Sequence, residues 1–162
     1  CMIYPDEPLD SENYTIFKKK ITPEEIEYLK NDKGSIGSRF IEHFVAGKEH
    51  VVLFKKNHGV MMSTHPSETI TNQEFINIAF GDVIIFGLGL GMIVFPLLSD
   101  KDVKSITIIE RDPGVIEMVG KIISEHDHKK KVKIVQSDAW RFRECFVEIR
   151  RGHRDKGGGE AL

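Results

Sequence analysis

The chain has 162 residues, 40% of them hydrophobic and 30% charged, with a formal net charge of −2. This composition is typical of a globular domain with a hydrophobic core, and it gives no reason to expect nucleic-acid binding. Only two cysteines occur, Cys1 and Cys145, without metal-ligand spacing, so we expect no disulfide framework or zinc site and a reducing, cytoplasmic location. No signal-peptide pattern is visible, and because the first residue is not Met we expect a fragment or a processed chain.

The first third of the chain, residues 1–66, predicts a small β-rich segment with one helix. After an extended lead-in, Tyr14–Phe17 favours a short strand. The run Thr22-Pro-Glu-Glu25 predicts a helix start, with Thr22 as the cap and Glu25 completing a capping box. Residues 39–45 fit a strand or a helix equally well.

A β-hairpin is predicted next. Apolar runs over 51–54 and 60–63 flank a turn whose Gly59 suits a positive φ angle. Four histidines lie in or near this region: His43, His50, His58 and His65. No two of them have the spacing of metal ligands on a clearly predicted helix, so we predict no metal site there.

From residue 67 to 149 the pattern changes to alternating helices and strands, and residues 150–162, charged and glycine-rich, are expected to be disordered. The alternation predicts right-handed βαβ units and a parallel sheet with its three strands in the order 3-2-1. The first strand reads as buried on both faces. The predicted elements are a helix over 69–80 with Phe75, Ile76, Ala79 and Phe80 on one side, strands over 83–86, 103–109 and 132–135, helices over 92–99 and 113–123, and a candidate helix over 142–149.

Chemistry-bearing residues follow all three strands. Gly87, Gly89 and Gly91 let a ligand approach the main chain, and the apolar run around them is too short and too interrupted for a membrane span. Glu110 follows the second strand and can accept hydrogen bonds from ribose hydroxyls. Asp138 follows the third, beside Ala139 and Trp140, and can accept from an adenine amino group. Each acid could instead cap the next helix, although Asp112 is the better cap there.

The third glycine comes one position too early for a nicotinamide or flavin fingerprint, since Met92 stands where a glycine is needed. The segments 82–91, 108–110 and 136–139 instead resemble the first three motifs of class I S-adenosylmethionine-dependent methyltransferases. Most members of this family have an acidic residue two positions before the first glycine, where this chain has Ile85. The spermidine synthase-like branch also lacks that acid, and the run from Glu110 to Ile116 resembles the same branch. This implies a Rossmann-like three-layer α/β fold and an adenosyl cofactor, S-adenosylmethionine or its decarboxylated form, at these residues: Gly87, Leu88, Gly89, Gly91, Met92, Glu110, Arg111, Asp138, Ala139 and Trp140.

Two function classes remain open. The first is a transferase of this superfamily with an unknown acceptor and unidentified catalytic residues. The second is a non-catalytic nucleoside-binding or assembly protein with a degenerate or truncated fold. Spermidine synthases carry an Asp where this chain has Leu90, and an Asp-x-x-Asp segment that this chain lacks, so we expect no aminopropyl transfer.

The predicted strand order leaves the first strand at an edge, where an apolar strand promotes association. Three alternatives follow: the N-terminal hairpin covers this edge, a second copy of the chain covers it in a homo-oligomer, or the chain is a truncated remnant. Glu68 and Asn72 are the N-terminal side chains that we expect to be able to reach the site.

Overall fold

The computed structural model describes residues 3–35 and 37–141. The predictions for the candidate helix over 142–149 and for the tail over 150–162 lie outside the described residues. Within the described part, every helix is too short or too polar to cross a bilayer.

The first sheet is antiparallel, with four strands in the order β1-β2-β3-β4. It confirms the predicted hairpin, since β3 pairs with β4 across the turn and Gly59 has a φ of 103°. Residues 39–45, which fitted a strand or a helix, fall largely within 3-10 helical turns. The elements are β1 (Leu9–Asp10), β2 (Tyr14–Lys20), α1 (Pro23–Asn31), the 3-10 turns (Gly37–His43), β3 (Glu49–Lys55) and β4 (Gly59–Ser63).

The second sheet is parallel, with three strands in the order β5-β6-β7. The second strand in sequence is therefore the middle one, which confirms the predicted order and the α/β, Rossmann-like class. The elements are α2 (Pro66–Ile78), β5 (Gly81–Phe86), α3 (Val94–Ser99), β6 (Val103–Glu110), α4 (Pro113–Val115), one π-helical turn (Ile116–Gly120), α5 (Lys121–His126) and β7 (Val132–Gln136).

Helix α1 begins as predicted, but its capping box is only half formed. The Thr22 hydroxyl accepts a hydrogen bond from the Glu25 backbone N–H at 3.1 Å. The Glu25 carboxylate does not return the bond. It lies instead 3.4 Å from Nε2 of His65 and 3.7 Å from the Lys19 ammonium. The carboxylate thus faces a cation and a mostly buried imidazole instead of the Thr22 backbone N–H.

The prediction that the first parallel strand is buried on both faces is wrong. Partly buried and exposed residues alternate along β5, and Ile84 is 37% exposed. Strand β6 is the buried one, since Ile106, Ile108 and Ile109 are at most 1% exposed. The reason is position: among the described residues β6 has a strand on each side, whereas β5 pairs with β6 alone. The hairpin belongs to the other sheet and does not extend this one.

Helix α2 begins three residues earlier than predicted because Pro66 takes its first position. Its predicted apolar side is only partly right. Ile76 and Ala79 pack on the core, but Phe75 is 62% and Phe80 77% exposed. The helix ends at Ile78, so Phe80 does not share its periodicity.

One hydrophobic core joins the two sheets. Buried residues of β2 and β3, such as Ile16 and Leu53, belong to the same cluster as Ile106 and Val119 of the parallel half. The Tyr4 hydroxyl adds a direct tie, because it donates to the backbone oxygen of Leu90 at 2.7 Å. The glycine-rich loop after β5 is therefore held by the segment that precedes the antiparallel sheet.

Candidate functional site

The carboxyl ends of the three parallel strands open on a cavity of about 410 Å³. Ligands of open α/β sheets bind at this end of the strands. The structure brings seven of the sequence-predicted site residues to its lining: Gly87, Gly89, Glu110, Arg111, Asp138, Ala139 and Trp140. It does not bring Leu88, Gly91 or Met92 there. Leu88 and Gly91 are buried residues of the glycine-rich loop, and Met92 lines a different cavity.

The glycine-rich loop after β5 offers open backbone at one of its glycines. Gly87 has a φ of 90°, and a Cβ placed there would meet nothing within 4 Å, so the main chain is accessible to a ligand. Gly89 has a φ of 50°, but a Cβ there would lie 2.3 Å from the Met62 sulfur. The Met62 sulfur also accepts the Leu90 backbone N–H at 3.3 Å. The glycine at 89 thus serves packing, whereas Gly87 leaves space for a ligand.

The Glu110 carboxylate is held at both oxygens by main-chain donors. Its Oε2 accepts from the Leu88 N–H at 2.8 Å, and its Oε1 accepts from the Asp112 N–H at 2.8 Å. This carboxylate therefore bridges the loop after β5 and the start of α4. An ionised carboxylate has about four acceptor positions, so two remain for a ligand. Helix α4, which follows β6, is capped by another residue, as predicted: the Asp112 side chain accepts from the Gly114 N–H at 2.9 Å.

Asp112 is also the meeting point of the two sheets. The Tyr14 hydroxyl of β2 donates to its Oδ2, and the Lys55 ammonium of β3 lies 3.5 Å from the same oxygen. Burial by itself raises the pKa of Asp112, but the hydrogen bonds from Tyr14, Gly114 and Val115 and the charge of Lys55 outweigh it, and the pKa lies below its usual range. The pKa of Tyr14 is raised, by burial first and then by the Asp112 hydrogen bond.

The two carboxylate oxygens of Asp138 differ in their hydrogen bonding. Its Oδ1 accepts from the Trp140 backbone N–H at 2.8 Å, which is the contact of a capping residue. Within the described residues no hydrogen bond reaches its Oδ2. Trp140 is 74% exposed beside it and lines the cavity.

Sequence reasoning missed the contribution of the antiparallel sheet to this cavity. Tyr14, Leu53, Lys55 and Met62 all line it. The N-terminal residues predicted to be within reach do not: the Glu68 carboxylate binds the Ser63 hydroxyl at 2.9 Å, and Asn72 lines the other cavity. Only the position of Lys55, directly before the hairpin turn, hinted that its side chain projects towards the strand ends.

Among the described residues, no group of three or more His, Cys, Asp or Glu side chains is arranged to hold a metal ion. The groups that line the site are carboxylates, the open backbone at Gly87 and the Trp140 ring, together with Lys55 and Arg111.

The solved structures that resemble part of this chain include two of spermidine synthases. One is a spermidine synthase from Thermotoga maritima, with 18% sequence identity and a TM-score of 0.38 over 56% of this chain and 36% of that one. The other is a spermidine synthase in complex with the transition-state analogue AdoDATO, with the same identity and TM-score over 56% of this chain and 37% of that one. The chain thus spans little more than a third of their length. No family model and no curated protein matches it.

Proposed function

We propose that this chain binds an adenosyl compound, S-adenosylmethionine or its decarboxylated form, in the cavity at the ends of β5, β6 and β7. The observation that carries the proposal is the Glu110 carboxylate, fixed by two backbone donors at the end of the middle strand. A carboxylate in this place accepts hydrogen bonds from ribose hydroxyls. Because its orientation is set before a ligand arrives, binding costs little reorganisation.

The neighbouring groups fit the rest of a nucleoside. The unoccupied oxygen of Asp138 is an acceptor for the adenine amino group, and Trp140 supplies a stacking face of the kind that bases prefer. The open backbone at Gly87 lets the 5′ side of the sugar approach the loop. Carboxylates around the cavity also favour the positive charge of a sulfonium centre.

Isothermal titration calorimetry tests the proposal with wild type, Glu110→Ala and the control Glu117→Ala, an exposed glutamate on the π-helical turn. We expect Glu110→Ala to weaken S-adenosylmethionine binding by about 1–3 kcal/mol, the size of lost charge-assisted hydrogen bonds, and Glu117→Ala to leave it unchanged.

A ligand-side arm avoids any effect of the substitution on folding. On wild type, adenosine should bind more tightly than 2′,3′-dideoxyadenosine, and NADH should show no saturable binding. Equal affinity for the two nucleosides, or unchanged affinity in Glu110→Ala, contradicts the ribose assignment.

The second candidate function is cofactor binding without catalysis. The glycine-rich loop argues for this candidate, because it lacks a group that aminopropyl transfer requires. At the position where spermidine synthases carry an Asp, Leu90 is 1% exposed, and its backbone is tied to Tyr4 and Met62. The loop thus presents no carboxylate to hold an amine. With decarboxylated S-adenosylmethionine and putrescine, mass spectrometry should find no spermidine from this chain. Formation at an enzyme-like rate would refute that expectation.

A further inference from the structure

A second cavity, larger than the nucleoside cavity, lies apart from it. It has a volume of about 570 Å³, within the range of about 300–1,000 Å³ that small-molecule pockets have. It lies between the antiparallel sheet, helix α2 and the second half of the glycine-rich loop, and the two cavities share no lining residue. Most of its lining is aliphatic or aromatic, including Ile21, Ile70, Ile76, Leu90, Met92 and Phe95.

The lining also holds polar side chains, and His50 is the buried imidazole among them, beside the partly buried Thr64 and the exposed Gln73. His50 is 6% exposed, and within the described residues neither ring nitrogen has a hydrogen-bond partner, with Nδ1 wholly buried. Its ring packs against that of His65, with centroids 5.1 Å apart and planes at 74°. Burial, followed by the charge of His65, lowers the pKa of His50, so the ring is neutral at pH 7 and offers one donor and one acceptor. Leaving such groups unpaired is costly, and a ligand that hydrogen-bonds to the other ring nitrogen, Nε2, would remove part of that cost.

The charges around this cavity exclude strongly charged ligands. Lys48 and Glu49 are its ionised lining residues; both are exposed at the rim, and their charges are opposite. The lining therefore holds no buried carboxylate to pair with an ammonium and no buried cation to pair with a phosphate. An unpaired ligand charge would be expensive to bring in.

We infer that this cavity is a second ligand site, which takes a neutral, largely apolar organic molecule carrying one hydroxyl or amide group that hydrogen-bonds to His50. The size fits a ligand of two fused rings or more. The inference goes beyond the nucleoside site and stands without it, since none of its residues contacts the first cavity.

The test uses 2-naphthol and naphthalene as a pair of probes that differ by one hydroxyl. We expect fluorescence titration of wild type to show saturable binding of both, with 2-naphthol about fivefold to tenfold tighter, the worth of one hydrogen bond. His50→Phe keeps an aromatic ring at this position and should abolish the difference. Ile70→Trp fills the cavity and should weaken both probes. Ile78→Trp, on the exposed side of the same helix, is the control and should change neither.

A measurement on the unsubstituted protein guards against misfolded variants. On saturation with 2-naphthol, the ring-nitrogen NMR resonances of His50 should shift, whereas those of the exposed His58 should not. Absence of saturable binding to wild type, an unchanged probe ratio in His50→Phe, or an unshifted His50 resonance each overturns the inference. Failure of S-adenosylmethionine to bind would leave these outcomes untouched.

Discussion

The two sheets contribute to the nucleoside cavity in different ways. The parallel sheet presents groups that its main chain fixes: the open backbone of Gly87, and Glu110 held by two N–H donors. The antiparallel sheet presents long side chains that reach across from another half of the chain, namely Tyr14, Lys55 and Met62. The groups of the parallel sheet are positioned by the sheet topology, and the side chains of the antiparallel sheet are positioned by packing between the two sheets. The site therefore depends on how firmly the two halves are joined.

The largest expected effect on stability comes from adding a methyl group where the two sheets meet, at Gly114. Gly114 lies in the first turn of α4, and a Cβ there would come within 2.9 Å of the Tyr14 ring. In an ordinary helix a Gly-to-Ala substitution stabilises by up to about 1 kcal/mol. Here we expect Gly114→Ala to lower the free energy of unfolding by about 1–3 kcal/mol through overpacking against a buried ring.

Urea denaturation measures this effect. The control is Gly34→Ala in the antiparallel half, where the nearest atom to the new Cβ is 3.7 Å away, and we expect it to change stability by less than about 0.5 kcal/mol. A stabilised Gly114→Ala variant would mean that the two halves are only loosely packed.

A smaller effect is expected from removing a single polar contact at the same junction. Tyr14→Phe deletes the hydroxyl that donates to Asp112, and the Lys55 ammonium remains beside the carboxylate. The expected loss is about 1 kcal/mol in the free energy of unfolding, typical of one hydrogen bond. The control is Tyr28→Phe, whose ring is 67% exposed on α1. If both variants unfold at the wild-type urea concentration, the Tyr14–Asp112 contact contributes nothing to joining the sheets.

The smallest expected effect is a pH dependence of the free energy of unfolding, caused by two histidines, one in the antiparallel sheet and one directly after it. Burial lowers the pKa of both His50 and His65. Their rings pack edge to face, with Glu25, Glu68, Lys19 and the Phe44 ring around them. Since the folded pKa of each histidine lies below its unfolded value of about 6.5, the unfolded state binds more protons as the pH falls below that value. The free energy of unfolding should therefore fall as the pH is lowered from about 6.5 through the folded pKa values.

Urea titrations across this pH range should give a flatter dependence for His50→Phe than for wild type. His58→Phe, in the exposed hairpin turn, should follow the wild-type curve. A pH dependence that survives in full without His50 would assign it to other groups.

The sequence predicted the parallel half well because its signals are local and repeat with the period of each element. The strand order, the position of Glu110 at a strand end and the Asp112 cap all follow from short runs of residues, and the structure confirms them. Burial of β5 was predicted wrongly because hydrophobicity alone does not tell a central strand from one that lies at the side of the described sheet.

The antiparallel half supplied the positions that sequence reasoning missed. Nothing local to Tyr14 or Lys55 indicates that they meet Asp112, 98 and 57 residues away along the chain. The capping box predicted that the Glu25 carboxylate would bond the nearby Thr22 backbone N–H. In the structure it lies instead beside His65, which is distant along the chain. In each case long-range packing decided between alternatives that the local pattern left open. Self-association of the chain stays a prediction, as does the division into segments at residue 66.

The π-helical turn over Ile116–Gly120 has a consequence for chain length. A turn that closes hydrogen bonds over five residues instead of four holds one residue more than a regular α-helix of the same rise. Removing one residue from this turn would let α4 and α5 merge into an unbroken α-helix while leaving the Asp112 cap in place. This segment is therefore where natural variants of the chain should differ by a single-residue insertion or deletion.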